Sequence, residues 1–324
     1  MTLLYYHDHF LDHDTGTHPE RPERLRQVVA HLERQGSMAR CRRENWNPVS
    51  PERLARVHEL KYAAQVEALA RSGGGRIEVD TVVSMASYEV AQLAAGAAAD
   101  AVDRVLTGQA QNALCLVRPP GHHARQADAM GFCLFNNVAM AARVATDEYQ
   151  LDRVLIVDWD VHHGNGTQDA FWTDPRVGFF SIHRWPFYPG TGDSDETGSG
   201  PGLGTTMNLP VEFGTSRDAY LARFTSALEK FAGQLRPQLV LISAGFDSHR
   251  DDPIGSLGLE VEDFVALSQR VLDIATVHSG GRVVSVLEGG YNPGILAACV
   301  EAHARELLSH KQKISAKPPP ATGV

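Results

Sequence analysis

A chain that carries the run Arg153-Val-Leu-Ile-Val-Asp-Trp-Asp-Val-His-His-Gly-Asn-Gly166 has few ways to fold. Its residues 154–157 are consecutive and apolar, the pattern of a strand buried on both faces and hence of a parallel sheet. Glycines then end the strand and admit close backbone approach. Between them stand Asp158, Asp160 and His162. Residues two apart in an extended chain share a face, so the spacing predicts two carboxylates and an imidazole projecting together from a buried strand end. Burying such groups is costly unless a metal or a partner compensates them.

The pattern recurs. Strands are predicted at 3–7, 114–117, 154–158, 177–183, 207–211, 239–244 and 283–287. Helices are predicted from 25 to a stop at Gly36, from the Ser50-Pro-Glu start to Ser72-Gly-Gly-Gly75, and over 87–106, 135–148, 219–235 and 261–278, with a last one after Pro293. Alternating strands and helices imply an α/β fold with one mainly parallel central sheet and helices on both faces. No repeat or linker divides the chain, so 1–310 reads as one catalytic domain. The polar, Pro-rich 311–324 reads as a disordered tail.

Ligands bind at the carboxyl ends of parallel strands, and the unusual polar residues fall there. Arg118-Pro-Pro-Gly-His-His123 follows one strand, Asp158 to Gly166 another, and Ser181-Ile-His183 ends a third. Ser243-Ala-Gly-Phe-Asp247 and Glu288-Gly-Gly-Tyr291 end two more. Asp160, His162 and Asp247 make a three-ligand set that leaves positions open on a Zn²⁺ ion, as a catalytic site requires. Two anionic ligands neutralise the ion, which makes a general base more necessary. His122 and His123 are the candidates, oriented by Asp158 and Asn165. Tyr291, after two glycines, can turn inward and donate to an oxyanion. The constellation describes amide hydrolysis. No G-x-S-x-G elbow or P-loop is present.

The net charge of −9 gives no nucleic-acid surface. The four cysteines lack CxxC spacing and point to a reducing compartment. Charge appears too early at the N-terminus for a signal peptide, and no apolar run approaches the ~20 residues of a membrane span. A soluble, cytoplasmic protein is expected, without membrane partners and with oligomerisation left open.

These motifs, with Gly131-Phe-Cys-Leu-Phe-Asn-Asn137 and Tyr188-Pro-Gly-Thr-Gly192, resemble the zinc-dependent histone deacetylase family over residues 3–308. The resemblance includes the family's bacterial class II-like and acetylpolyamine amidohydrolase branches. The resemblance implies the arginase–deacetylase fold, with about eight strands. It implies Asp160, His162 and Asp247 as ligands of one Zn²⁺, and His122 and His123 as the tandem pair backed by Asp158 and Asn165. Asn165 stands where the class I branch has Asp. Tyr291 resembles the transition-state tyrosine, and its presence counts against the low-activity branch.

On the substrate side the resemblance implies Phe132 and Tyr188 as tunnel walls, the latter in place of the usual Phe. Gly131, Gly289 and Gly290 adjoin them, and Arg24 is expected near the tunnel foot. Asp80 matches a rim residue that bonds the substrate backbone. Ile254 stands where polyamine-specific relatives have an acidic gatekeeper. Potassium is implied at Asp158, Asp160, His162, Ser181 and Ile182, and at a second site at Phe171, Asp174 and Val177. The expected substrate is an acyl-lysine protein or peptide, with an acetylated small amine such as an acetylpolyamine as the alternative. An arginase-like dimanganese hydrolase and a non-catalytic acyl-binding module are the remoter readings.

Overall fold

The structure, a computed structural model, describes residues 1–315, with side chains through residue 310. It is an α/β fold built on one sheet. The strands are β1 (Thr2–Tyr5), β2 (Arg42–Arg43), the small hairpin β3 (Gly75–Arg76) and β4 (Val82–Val83), β5 (Asn112–Cys115), β6 (Val154–Asp158), β7 (Val177–Arg184), β8 (Thr206–Val211), β9 (Leu239–Ala244) and β10 (Val283–Leu287). Eight of them form the central sheet in the order β2-β1-β5-β10-β9-β6-β7-β8, with β3 and β4 apart. Every neighbouring pair in the sheet is parallel.

The sequence explains the burial. β6, β9 and β10 are buried at every position, as strands rich in Val, Leu and Ile and covered on both faces must be, and β5 (Asn-Ala-Leu-Cys) is buried throughout as well. One helical layer joins Glu23–Arg34, Pro293–Ser315, Val261–His278 and Arg217–Leu235, and another joins Ser87–Leu106 to Asn137–Arg143. The small residues of Ser87–Leu106 allow close packing. A Cβ on Gly96 would lie 2.2 Å from the Asn47 carbonyl oxygen.

Several elements depart from the sequence reading. The edge strand β2 is two arginines paired only with β1 and carries no apolar run. The helix expected to run from Ser50 to Ser72 is two, Pro51–Leu54 and Leu60–Arg71. Ser50 does cap the first, its hydroxyl accepting from the Arg53 N–H at 3.3 Å. The break accommodates buried His58, whose Nδ1 bonds the Arg125 carbonyl at 2.8 Å and whose Nε2 accepts from the Asn136 N–H at 2.8 Å. Helix 135–148 instead starts at Asn137, capped by Asn136, and ends in a π-helical turn at Val144–Glu148. Ser181-Ile-His183 falls at the end of β7, as the strand expected over 177–183 has it. A further short helix, Asn165–Phe171, follows Gly164 and carries Gly166 in its first turn, where glycines read as a break rather than a helix. The last helix continues to Ser315, and the rest of the expected disordered tail lies outside the described residues. All four cysteines are free thiols. Among the described residues no helix is long and apolar enough to cross a membrane.

Candidate active site

The carboxyl ends of β5, β6, β9 and β10 meet at one place. β6 ends at Asp158, and the chain beyond it does not stay extended. Asp158 Oδ1 accepts from the Asp160 N–H at 3.1 Å, and Asp160 Oδ1 from the His162 N–H at 2.9 Å. A carboxylate that bonds a backbone N–H two residues on curls the chain. The expected single face of Asp158, Asp160 and His162 is therefore split. Asp158 meets His122, while Asp160 and His162 converge on Asp247 at the end of β9.

Ligand atoms of Asp160, His162 and Asp247 lie within 4.8 Å of one another, and all three residues are buried. His162 Nδ1 is 3.0 Å from Asp160 Oδ1 and 3.1 Å from Asp247 Oδ2. The latter contact lacks hydrogen-bond geometry, and Asp247 Oδ2 is a buried oxygen with no hydrogen-bond partner. Burial, followed by the charge of Asp160, pushes the Asp247 carboxyl up to about 7. Glycines keep the space between the carboxylates clear. A Cβ on Gly289 would lie 2.3 Å from Asp247 Oδ2 and 2.5 Å from Asp160 Oδ2. An orphaned carboxylate oxygen, a second carboxylate and an imidazole nitrogen around a cleared space fit a divalent cation.

The tandem histidines sit beside this group. The Glu288 carboxylate accepts from the N–H groups of Gly121 at 2.7 Å and His122 at 3.2 Å, tying the turn after β5 to the end of β10. His122 Nδ1 bonds Asp158 Oδ2 at 2.9 Å, and His123 Nδ1 bonds Asn165 Oδ1 at 2.7 Å. The rings are 4.0 Å apart. Their environments differ. Burial opposes the charge on His122, but Asp158 and Asp160 outweigh it and raise the imidazole to about 10. Burial and the neighbouring His122 and His162 hold His123 well below its ordinary value. Close packing explains the glycine at 131, where a Cβ would lie 2.3 Å from the His123 ring.

A cavity of about 220 Å³ opens onto these groups, lined by Asp80, His123, Gly131, Phe132, His162, Phe187, Tyr188, Ile254 and Tyr291. Phe132 meets the Tyr291 ring edge to face at 5.5 Å. Tyr188 meets His123 edge to face at 5.3 Å. Phe187 stacks on His162 at 5.3 Å and 16°. Tyr188 thus lies in the cavity wall, and Phe187 beside it is a further aromatic of that wall. Sequence reasoning missed it, although it precedes Tyr188 in the Trp185-Pro-Phe-Tyr-Pro-Gly190 run. His18 was also missed. It packs at 4.4 Å on Phe132 and bonds the Asp80 carbonyl at 3.1 Å. Burial raises the Tyr291 phenol well above its ordinary value and keeps it protonated.

Other expected site residues lie outside the cavity lining. Arg24 is fully buried behind Tyr291, its guanidinium 4.9 Å from the ring centroid. It donates to the carbonyls of Gly290 at 2.6 Å and Glu288 at 2.5 Å. The Gly289 N–H donates to Asp160 Oδ2 at 2.9 Å, and Gly290 takes a φ of 120° that suits glycine. Asp158 and Asn165 sit behind the histidines. In the first set expected to bind potassium, Ser181 Oγ bonds His183 Nδ1 at 2.9 Å. In the second, the Asp174 carboxylate is engaged by Arg143 at 2.6 Å and Arg176 at 2.7 Å, and Arg143 covers the Phe171 ring.

Comparison with known proteins bears on the same region. A histone deacetylase domain matches residues 18–307. A probable deacetylase of Archaeoglobus fulgidus is 38% identical, over 92% of this chain and 86% of its own. A histone deacetylase-like amidohydrolase of Pseudomonas aeruginosa is 39% identical, over 90% of this chain and 77% of its own. The human polyamine deacetylase HDAC10 is 42% identical, over 95% of this chain and 48% of its own. The crystal structure of the HDA15 HD domain superposes with a TM-score of 0.89 at 37% identity, covering 95% of this chain and 90% of that one.

Proposed function

The chain belongs to the histone deacetylase family, and from that membership we propose that it is a zinc-dependent amidohydrolase removing acetyl or similar short acyl groups from lysine side chains of proteins or peptides. The observation that carries this reading is the meeting of His123, His162 and Tyr291 in one aromatic-walled cavity, with the three-donor group at its base. Asp160, His162 and Asp247 would hold the zinc, which when bound supplies a Lewis acid for the amide carbonyl.

The chain's own groups perform the rest. Phe132, Phe187 and Tyr188 enclose the acyl-bearing stem. Asn165 accepts the Nδ1 proton of His123, so its Nε2 is free to take a proton from the attacking water. His123 is the member of the pair that reaches the cavity. His122, bonded to the Asp158 carboxylate, holds positive charge beneath it. The Tyr291 hydroxyl donates to the oxyanion as the carbonyl becomes tetrahedral. The histidine pair then protonates the departing amine. Among the described residues one group of three donors has metal-ligand spacing, which favours one ion over a dimanganese site. The complete set of acid, base and donor favours turnover over simple acyl binding.

The rim favours peptides. Ile254 offers no charge to a polyamine ammonium, and half-buried Asp80 presents an acceptor to a peptide backbone. The human polyamine deacetylase is the reason to test the other substrate. We expect a higher kcat/KM for acetyl-lysine peptides than for acetylspermidines. Ile254→Glu should move the ratio toward the polyamine, and Asp80→Ala should weaken the peptide reaction more. A tenfold preference of the unaltered protein for acetylpolyamines, about 1.4 kcal/mol in the transition state, contradicts the reading.

A further inference from the structure

The Tyr291 side chain has to be held with its hydroxyl facing the cavity, yet the hydrogen bonds around it hold the backbone of its loop. Among the described residues the hydroxyl has no hydrogen-bond partner. On one side, Arg24 grips the carbonyls of Glu288 and Gly290. On the other, the Tyr291 N–H donates to Asp252 Oδ2 at 2.6 Å. The second oxygen of the same carboxylate, Oδ1, accepts from the N–H groups of Ile254 at 2.9 Å and Gly255 at 3.0 Å. Asp252 is buried. Asn292 Nδ2 adds a bond from the Tyr291 loop to the Asp251 carbonyl at 3.1 Å.

We propose that Asp252 is a positioning residue that locks the Tyr291 loop and the Ile254 rim loop into one unit, so that the oxyanion donor is aligned only while the rim is formed. The inference rests on the reading of Tyr291 as that donor. Three N–H groups on one carboxylate use both oxygens, and charge-assisted bonds of this kind are short and directional. A neutral amide at 252 cannot replace it. One end accepts the Ile254 and Gly255 bonds as before, but the other presents N–H to the Tyr291 N–H. Donor then faces donor, and the Tyr291 loop is released while the rim loop stays. A misaligned oxyanion donor costs rate rather than substrate binding.

The test is Asp252→Asn, alone and combined with Tyr291→Phe, assayed on an acetyl-lysine peptide with zinc content and melting measured alongside. The expected result is a fall in kcat of about 10–100-fold, with KM changed less than about threefold and zinc retained. In the Tyr291→Phe background the same substitution should change kcat less than about twofold, because the donor it positions is gone. Affinity for a peptidic trifluoromethyl ketone, whose hydrate mimics the tetrahedral state, should fall with kcat, while affinity for the deacetylated peptide stays constant. Equal losses in both backgrounds, or parallel losses of analogue and product affinity, overturn the proposal. Near-normal kcat in Tyr291→Phe alone instead removes the reading of Tyr291 on which it rests. If Asp252→Asn does not fold, Asp252→Ser is measured by the same criteria. Failure of both to fold makes Asp252 a fold-stabilising residue and also overturns the proposal.

Discussion

In the proposed mechanism Tyr291, Asp247 and His123 divide the chemistry among three kinds of group, and each can be removed separately. Tyr291→Phe deletes one donor and keeps the ring packed on Phe132. Its kcat should fall by about 10²–10³, the usual loss for one oxyanion donor, with zinc content unchanged. Asp247→Ala should abolish zinc retention and activity together, since the orphaned Oδ2 is the atom proposed to be neutralised by the ion. His123→Ala should abolish activity while zinc stays. Metal analysis of the purified variants checks all three, and zinc loss from His123→Ala as complete as that from Asp247→Ala overturns the ligand assignment. These residues were legible in the sequence because their types are rare together and costly to bury unpaired. Phe187 and Asp252 were not. One is an aromatic among aromatics, and the other an Asp in a loop, where turns and caps are common. Their roles depend on stacking against His162 and on accepting the N–H of a residue 39 positions away.

The strand ends set the site, and the glycines after them are as constrained as the ligands. In Gly289→Ala the new Cβ would enter the space between Asp160 and Asp247 and displace the N–H bonded to Asp160. We expect reduced zinc affinity with the sheet intact, read by competition with a chromogenic chelator and by far-UV circular dichroism. Wild-type affinity in this variant contradicts the placement of the ion. At this scale the central strands were legible from their apolar runs, and their polar endings marked the functional edge. The broken helix around His58 was not, because the cause is a long-range contact with Arg125 and Asn136 that local propensity cannot reveal. Nor was the curl after Asp158, because period-two reasoning ends where side-chain carboxylates take over the backbone N–H groups.

Across the whole molecule, the fold stores several histidines in their neutral form. Burial lowers His58 to about 4 and His303 to about 3 from an ordinary value of 6.5. His303 is bonded by Ser268 at 2.7 Å and Ser285 at 2.9 Å. The unfolded chain takes up these protons near pH 6.5 and the folded chain does not, so stability is full above that pH and falls as pH drops toward the folded values. Each group contributes a slope of up to about 1.4 kcal/mol per pH unit in that window. The urea midpoint of the unaltered protein relative to that of His303→Gln should therefore fall from pH 7 to pH 5, and a constant difference contradicts the neutral assignment of His303. The architecture, eight parallel strands with one functional edge, gathers ligands from β6 and β9, histidines from β5 and a phenol from β10 around a single proposed ion. Stripping the protein with a chelator and titrating zinc back, while following hydrolysis of a fluorogenic acetyl-lysine peptide, tests that claim most directly. Activity should rise in proportion to zinc and saturate at one ion per chain. Absence of turnover at any loading, or saturation only at two ions per chain, contradicts it.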